Sequence, residues 1–95
     1  MRGCKLQVSL EFNVVICDER ALHLTPTQAE ILSVLVRDYP NIVRKSKLFT
    51  EVWGINSASA NSMRTLLYQT RKQIEKLGFT ILPATTRGYR LAPLP

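Results

Sequence analysis

The chain has 95 residues, 45% of them hydrophobic, and a formal net charge of +6. This length allows one domain with one modest core, and the periodic apolar residues argue against disorder. No apolar run approaches the roughly 18 residues that a membrane-spanning helix needs, and the first residues lack the apolar block of a signal peptide. We therefore expect one cytoplasmic domain.

The charge is distributed unevenly along the chain. Residues 1–43 carry four Lys or Arg against five Asp or Glu, for a net −1, whereas residues 44–95 carry nine against two, for +7. A strongly basic half is typical of a surface that binds a polyanion. Phospholipid headgroups are also polyanionic, but the basic half lacks the Trp- and Phe-rich apolar face of a helix that lies on a membrane. We expect no membrane contact within this chain.

Metal-binding and catalytic chemistry find little support in the residue types present. Cys4 and Cys17 are the two cysteines, and His23 is the one histidine. Because nothing else suggests export, we expect free thiols rather than a disulfide. The sequence has no metal-ligand spacing, no paired carboxylates, no glycine-rich phosphate loop and no nucleophile beside a base. It therefore predicts no metal, no cofactor and no enzyme activity.

Three short strands are predicted at the start of the chain. Residues 5–10 alternate between apolar and polar, residues 14–17 are largely β-branched, and residues 21–24 alternate again. Short polar connections between them favour a small antiparallel sheet. His23 alternates with two leucines on the last strand, so we expect its side chain to face solvent.

A strong helix start follows these strands. Thr25 can cap the helix, Pro26 suits the first helical position, and Gln28 completes a capping box. The apolar residues then recur at helical spacing: Ile31, Leu32, Leu35 and Val36. The predicted helix spans about residues 26–38, because the residue before Pro40 avoids the helical region.

Two more helices and a hairpin complete the predicted order. The helices span about residues 45–53 and 59–77, joined by a loop of about five residues, and form a helix-turn-helix. A β-hairpin over residues 79–91, with a basic tip, would make this a winged helix. The predicted fold class is therefore α+β, within one domain over residues 1–95: an N-terminal three-stranded antiparallel sheet, three helices and a C-terminal hairpin wing.

The third predicted helix has an apolar face and a cationic face. Ser59 is expected to cap it and Gly78 to end it. The apolar stripe consists of Met63, Leu66, Leu67, Thr70, Ile74 and Leu77. The opposite side consists of Asn61, Arg64, Thr65, Tyr68, Arg71, Lys72, Glu75 and Lys76. An ordinary surface helix with a solvated outer face shows the same pattern, so the flanking elements must decide between the two interpretations.

Five short pieces of sequence carry a family resemblance. They are Leu24-Thr25 followed by Glu30, Leu48 followed by Val52-Trp53-Gly54, Ser59-Ala60-Asn61-Ser62-Met63, Arg71-Lys72, and Arg87-Gly88-Tyr89-Arg90-Leu91. In this order and spacing they resemble the LT..E..LL, L...VWG, SDNSL, LRK and RGYRL motifs of the OmpR/PhoB-type winged-helix DNA-binding domain. The ToxR- and CadC-like branch of these bacterial regulators is the most similar.

Several positions depart from the family pattern. Arg44 stands where the family usually has a Ser or Thr cap, and the wing tip lacks a second glycine. Thr70 replaces a leucine, and we expect its hydroxyl to bond to a backbone carbonyl one turn earlier. Neither a receiver domain nor a membrane span accompanies the module, so we expect a stand-alone regulator or an excised domain.

The resemblance implies sequence-specific binding of double-stranded DNA by a bacterial transcription regulator, with the third helix in the major groove. The expected base contacts are Arg64, Thr65, Tyr68 and Gln69, with Arg64 foremost because it could bind a guanine with two hydrogen bonds. The expected phosphate contacts are Asn61, Ser62, Arg71 and Lys72, and the resemblance adds Trp53 and Tyr89. Arg87 at the wing tip is expected in the minor groove, steadied by Thr85 and Thr86.

Other partners and one alternative function follow from the same pattern. The resemblance makes head-to-tail self-association on DNA plausible, and RNA polymerase is a further candidate partner. The chain would then be associated with the nucleoid. The alternative is a winged-helix module that binds a protein and does not read DNA. The density of cations on one helix face and at the wing argues against that alternative.

Overall fold

The computed structural model describes residues 5–53, 60–85 and 88–94. Its elements are β1 (Gln7–Ser9), β2 (Val14–Cys17), β3 (Arg20–His23), α1 (Pro26–Asp38), β4 (Val43–Arg44), α2 (Lys45–Trp53), α3 (Ala60–Ile74), a 3-10 turn (Glu75–Leu77), β5 (Phe79–Thr85) and β6 (Gly88–Pro93). This order confirms the predicted α+β fold class. The predicted cap Ser59 lies outside the described residues.

The first sheet is antiparallel, in the order β1-β2-β3. Its two connections contain Asn13 (φ 55°) and Asp18 (φ 57°), which adopt the left-handed conformation that Asn and Asp tolerate better than most residues. His23 is exposed, as expected. Cys17 is buried and disulfide-bonded, so the expectation of free thiols was wrong. That expectation rested on the lack of export signals, which does not decide whether a given cysteine forms a disulfide.

The helix α1 lies at the centre of the core. The predicted capping box is present: the Gln28 N–H donates to Thr25 Oγ1 at 3.2 Å, and the Thr25 N–H donates to Gln28 Oε1 at 3.1 Å. Three large apolar side chains of this helix are fully buried: Ile31, Leu32 and Leu35. The helix contacts α2, α3, β1, β4 and β6. Both sheets and both remaining helices are therefore held against one element.

The second sheet is also antiparallel, in the order β4-β6-β5. The hairpin of β5 and β6 was predicted, with Ile81 opposite Leu91 in the observed register. The short strand β4 was not predicted, because two residues are too few to show a strand periodicity. It pairs Val43 with Tyr89 and so attaches the hairpin to the segment before α2.

The helices of the described residues are too short or too polar to span a membrane.

Replacing Thr25 with Ala should lower the free energy of unfolding by about 1 kcal/mol, because the helix loses its side-chain cap. Urea denaturation followed by circular dichroism measures this change. Thr27→Ala, the same substitution inside α1, serves as the control and should not destabilise the protein, since Ala has the higher helix propensity. Equal stability of Thr25→Ala and the parent protein would contradict the capping role.

Candidate nucleic-acid interface

The apolar face of α3 is buried against the rest of the molecule. It packs on α1 and β5. Its buried residues are Met63, Leu66, Leu67, Thr70 and Ile74. The Thr70 hydroxyl donates to the Leu66 carbonyl oxygen at 2.7 Å, which confirms the bond expected for a threonine at this core position. The rotation of α3 about its own axis is therefore fixed.

The opposite face of α3 is exposed over several turns. All four residues predicted to contact bases lie there: Arg64, Thr65, Tyr68 and Gln69. Two residues predicted to contact phosphates, Ser62 and Lys72, are exposed on the same helix. Tyr68 is 54% exposed, which is high for a large aromatic residue. The structure thus brings these side chains together on one outward surface.

Two cations flank the ring of Tyr68. Arg71 Cζ lies 5.8 Å and Lys72 Nζ lies 5.7 Å from the ring centroid. Both distances are within the range of cation–π attraction. Both cations also lie in the last turn of α3, where positive charge interacts favourably with the helix dipole. The C-terminal half of the exposed face is therefore its most basic part.

Arg71 is less exposed than the helical pattern predicted. Its side chain is 40% exposed, and its Nε lies 3.5 Å from Glu75 Oε2. That Nε is itself buried and makes no hydrogen bond among the described residues. The spacing of four residues could have revealed the Arg71–Glu75 pair. The sequence could not show that the Thr80 hydroxyl on β5 donates to the same Glu75 oxygen at 3.0 Å.

The base of the wing is described in part. Tyr89, a predicted phosphate contact, is half-buried on β6 opposite Val43. Several other predicted contacts lie outside the described part of the structure: the side chains of Trp53, Asn61 and Thr85, and the whole of Thr86 and Arg87. The DNA contacts of these five residues stay predictions.

Arg44 is a basic residue that was not among the predicted DNA contacts. It is exposed on β4, next to the buried Val43, and pairs with Gly88 of β6. A Cβ atom on Gly88 would lie 2.5 Å from the Val43 carbonyl oxygen and 2.8 Å from Ile42 Cγ2. Glycine thus allows β4 to approach the wing strand closely. This contact brings Arg44 to the base of the wing.

Comparison with known proteins identifies the family. Residues 19–91 match the family model described as "Transcriptional regulatory protein, C terminal". The chain belongs to this OmpR/PhoB-type family. It is 36% identical over 69 residues to the transcriptional regulatory protein KdpE of Mycobacterium tuberculosis, covering 72% of this chain and 30% of that protein. It is 32% identical over 76 residues to the regulatory protein VanR of Enterococcus faecium, covering 80% of this chain and 32% of that protein.

Solved structures show the same fold. The C-terminal domain of the nisin resistance regulator NsrR matches with a TM-score of 0.78 and 25% identity, over 96% of this chain and 93% of that domain. The DNA-binding domain of Escherichia coli CadC matches with a TM-score of 0.77 and 18% identity, over 99% of this chain and 91% of that domain. The AdeR DNA-binding domain, solved in complex with an intercistronic region, matches with a TM-score of 0.76 and 18% identity. The match covers 99% of this chain and 98% of that domain. The family is one of DNA-binding domains of transcription regulators and not a class of enzymes.

Replacing Gly88 with Ala should lower the free energy of unfolding by about 1–3 kcal/mol, because the added methyl group overlaps the backbone of β4. Thermal denaturation measures the loss. Leu82→Ala, on an exposed position of the same hairpin, is the control and should cost much less. If Gly88→Ala were as stable as the parent protein, the close approach of β4 to β6 would be wrong.

Proposed function

We propose that this chain binds double-stranded DNA in a sequence-specific manner, as the DNA-binding unit of a bacterial transcription regulator. The observation that carries this proposal is the contrast between the two faces of α3: one face is buried in the core, and the other presents Arg64, Tyr68 and Lys72 to solvent. The AdeR domain of the same fold was solved with DNA, which supports the same partner class. Residues 1–95 would act as one unit.

Insertion of α3 into the major groove accounts for the residue types on its outer face. The groove admits one helix, and its base edges distinguish all four base pairs. Arg64 would bind guanine through two hydrogen bonds, and Gln69 would bind adenine. Thr65 would contact a thymine methyl group, and Tyr68 offers both a hydroxyl and a flat ring. Each such bidentate contact contributes roughly 1–3 kcal/mol of discrimination between bases.

Phosphate contacts would fix the register of the helix on the duplex. Lys72 and Arg71 are well placed for this role beside Tyr68, and Ser62 and Asn61 lie near the other end of α3. The Trp53 indole N–H and the Tyr89 hydroxyl are the proposed contacts from α2 and the wing. The net charge of +7 over residues 44–95 supports binding to a polyanion.

The wing would contact the adjacent minor groove. We propose that Arg87 enters it, because a narrow A·T-rich groove concentrates negative potential, and that Thr85 and Thr86 bind the neighbouring backbone. Arg44, at the base of the wing, extends the basic surface toward the helices. DNA binding would place the protein in the cytoplasm, associated with the nucleoid.

Further partners belong to the same proposal. The chain covers 30% and 32% of the length of KdpE and VanR, so the activity of a whole regulator is not fixed by this domain. We include head-to-tail association of two copies on DNA and contact with RNA polymerase as candidate interactions. The spacing of repeats in sites selected from a random oligonucleotide pool would test the first of them.

Replacing Arg64 with Ala should weaken binding to the selected site by about tenfold or more, while binding to random duplexes changes little. The reason is that a base contact carries sequence information and a phosphate contact does not. Fluorescence anisotropy with both duplexes at one salt concentration measures the difference. Arg37→Ala is the matched control: it removes the same charge from α1, where Arg37 pairs with Glu51 at 3.0 Å.

Two results would contradict the proposal at different levels. Equal losses of affinity on selected and random DNA would exclude base reading by Arg64. Failure of the parent protein to bind any duplex at low salt would exclude DNA binding and would favour the protein-interaction module.

A further inference from the structure

A chain of three side chains connects the wing hairpin to α3. The Thr80 hydroxyl on β5 donates to Glu75 Oε2 at 3.0 Å, and the same oxygen lies 3.5 Å from Arg71 Nε. Thr80 is 7% exposed and is one of three buried polar residues among those that the structure describes. Its hydroxyl therefore donates to a carboxylate from a buried position.

The contacts of Arg71 leave its outer guanidinium nitrogens available. The Nε atom is buried, yet 40% of the side chain is exposed, so the exposed part lies elsewhere on the side chain. The guanidinium carbon lies 5.8 Å from the centre of the Tyr68 ring. One edge of the group is thus turned toward Glu75, and the ring of Tyr68 limits its movement on another side.

The pair of Glu75 and Arg71 would be weak without a third member. An ion pair between residues four apart on an exposed helix surface contributes little to stability. Its partners also lose side-chain entropy when they are held in one geometry. A hydroxyl from a strand gives the carboxylate a fixed, charge-assisted hydrogen bond. Thr80 lies on β5, opposite Ala92 of β6, so its backbone is itself held by the hairpin.

We propose that Thr80 is a positioning residue for DNA binding, which acts through Glu75 to hold Arg71 in the orientation that contacts a phosphate. This inference rests on the proposed function, because it assigns Arg71 to DNA. Ordering Arg71 in the free protein removes part of the entropy cost of binding. The same contacts tie α3 to the first strand of the wing hairpin, so the two DNA-binding elements keep one relative orientation.

Substitution of Thr80 tests the positioning of Arg71 without changing any charge. Glu75→Gln would not do so, because it would remove both the contact with Arg71 and a negative charge that repels phosphates. These two losses would change the affinity for DNA in opposite directions. Thr80→Val has nearly the same shape and leaves every charge unchanged, while Thr80→Ser restores the hydroxyl. Thr70→Val is the matched control: it removes another buried hydroxyl, one that bonds to the backbone of α3 and not to Glu75.

The first measurement uses the free protein. The side-chain Nε–Hε signal of Arg71, observed by NMR, should exchange slowly with solvent in the parent protein, in Thr80→Ser and in Thr70→Val. It should exchange faster in Thr80→Val. Thermal unfolding of each variant shows that it is folded at the temperature of the experiment. If the Arg71 Nε–Hε proton exchanged with solvent at the same rate in Thr80→Val and in the parent protein, the proposal would be overturned without any measurement on DNA.

The second measurement is a double-mutant cycle on the selected DNA site. Thr80→Val should weaken binding about threefold to tenfold in the parent background but less than about twofold when Arg71 is already Ala. Thr80→Ser should restore binding, and Thr70→Val should change affinity by less than about twofold in both backgrounds. Equal losses in the two backgrounds would show that Thr80 acts on the fold and not on Arg71.

The outcomes separate this inference from the function on which it rests. A parent protein that binds no duplex contradicts the proposed function. A parent protein that binds its site, with Thr80→Val binding equally well, contradicts the positioning role alone.

Discussion

Burial of the apolar face of α3 against α1 and β5 decides which side chains this molecule presents to a partner. A leucine-sized side chain contributes roughly 1.5–3 kcal/mol when it is fully buried, and α3 buries Met63, Leu66, Leu67 and Ile74. A rotation of the helix by one residue would expose several of these groups. The outward placement of Arg64, Tyr68 and Lys72 therefore depends on packing on the far side of the helix.

The wing depends on a second, smaller constraint. The strand β4 is two residues long, yet it joins the wing hairpin to the segment that leads into α2. Gly88 allows the close approach, and Val43 is buried between the hairpin and the core. On the other side of the hairpin, Thr80 contacts Glu75 beyond the end of α3. These two contacts add to the packing of the hairpin on α1 and α3.

Local patterns were sufficient for much of this fold. The capping box of Thr25 and Gln28 depends on residues three apart, and the two faces of α3 depend on helical periodicity, so both could be read from sequence. The family motifs likewise are short and ordered. The exposed positions of Arg64 and Tyr68 were predicted in this way and are observed.

Contacts between residues far apart in the sequence could not be predicted from local patterns. The pairing of β4 with β6 and the hydrogen bond from Thr80 to Glu75 each join elements whose proximity only the folded chain establishes. Arg71 shows the consequence: periodicity placed it on the open face, whereas the structure shows it only partly exposed, with its Nε 3.5 Å from Glu75 Oε2. Its surroundings therefore include a side chain outside α3.

The most direct test of the central claim is a map of backbone amide shifts when the protein is titrated with a short duplex. Our account predicts that the largest shifts fall on the exposed positions of α3, including Arg64, Tyr68 and Lys72, and on the wing hairpin. The strands β1 and β2, at the start of the chain, should change little. Shifts concentrated on those strands, with α3 unaffected, would contradict the account.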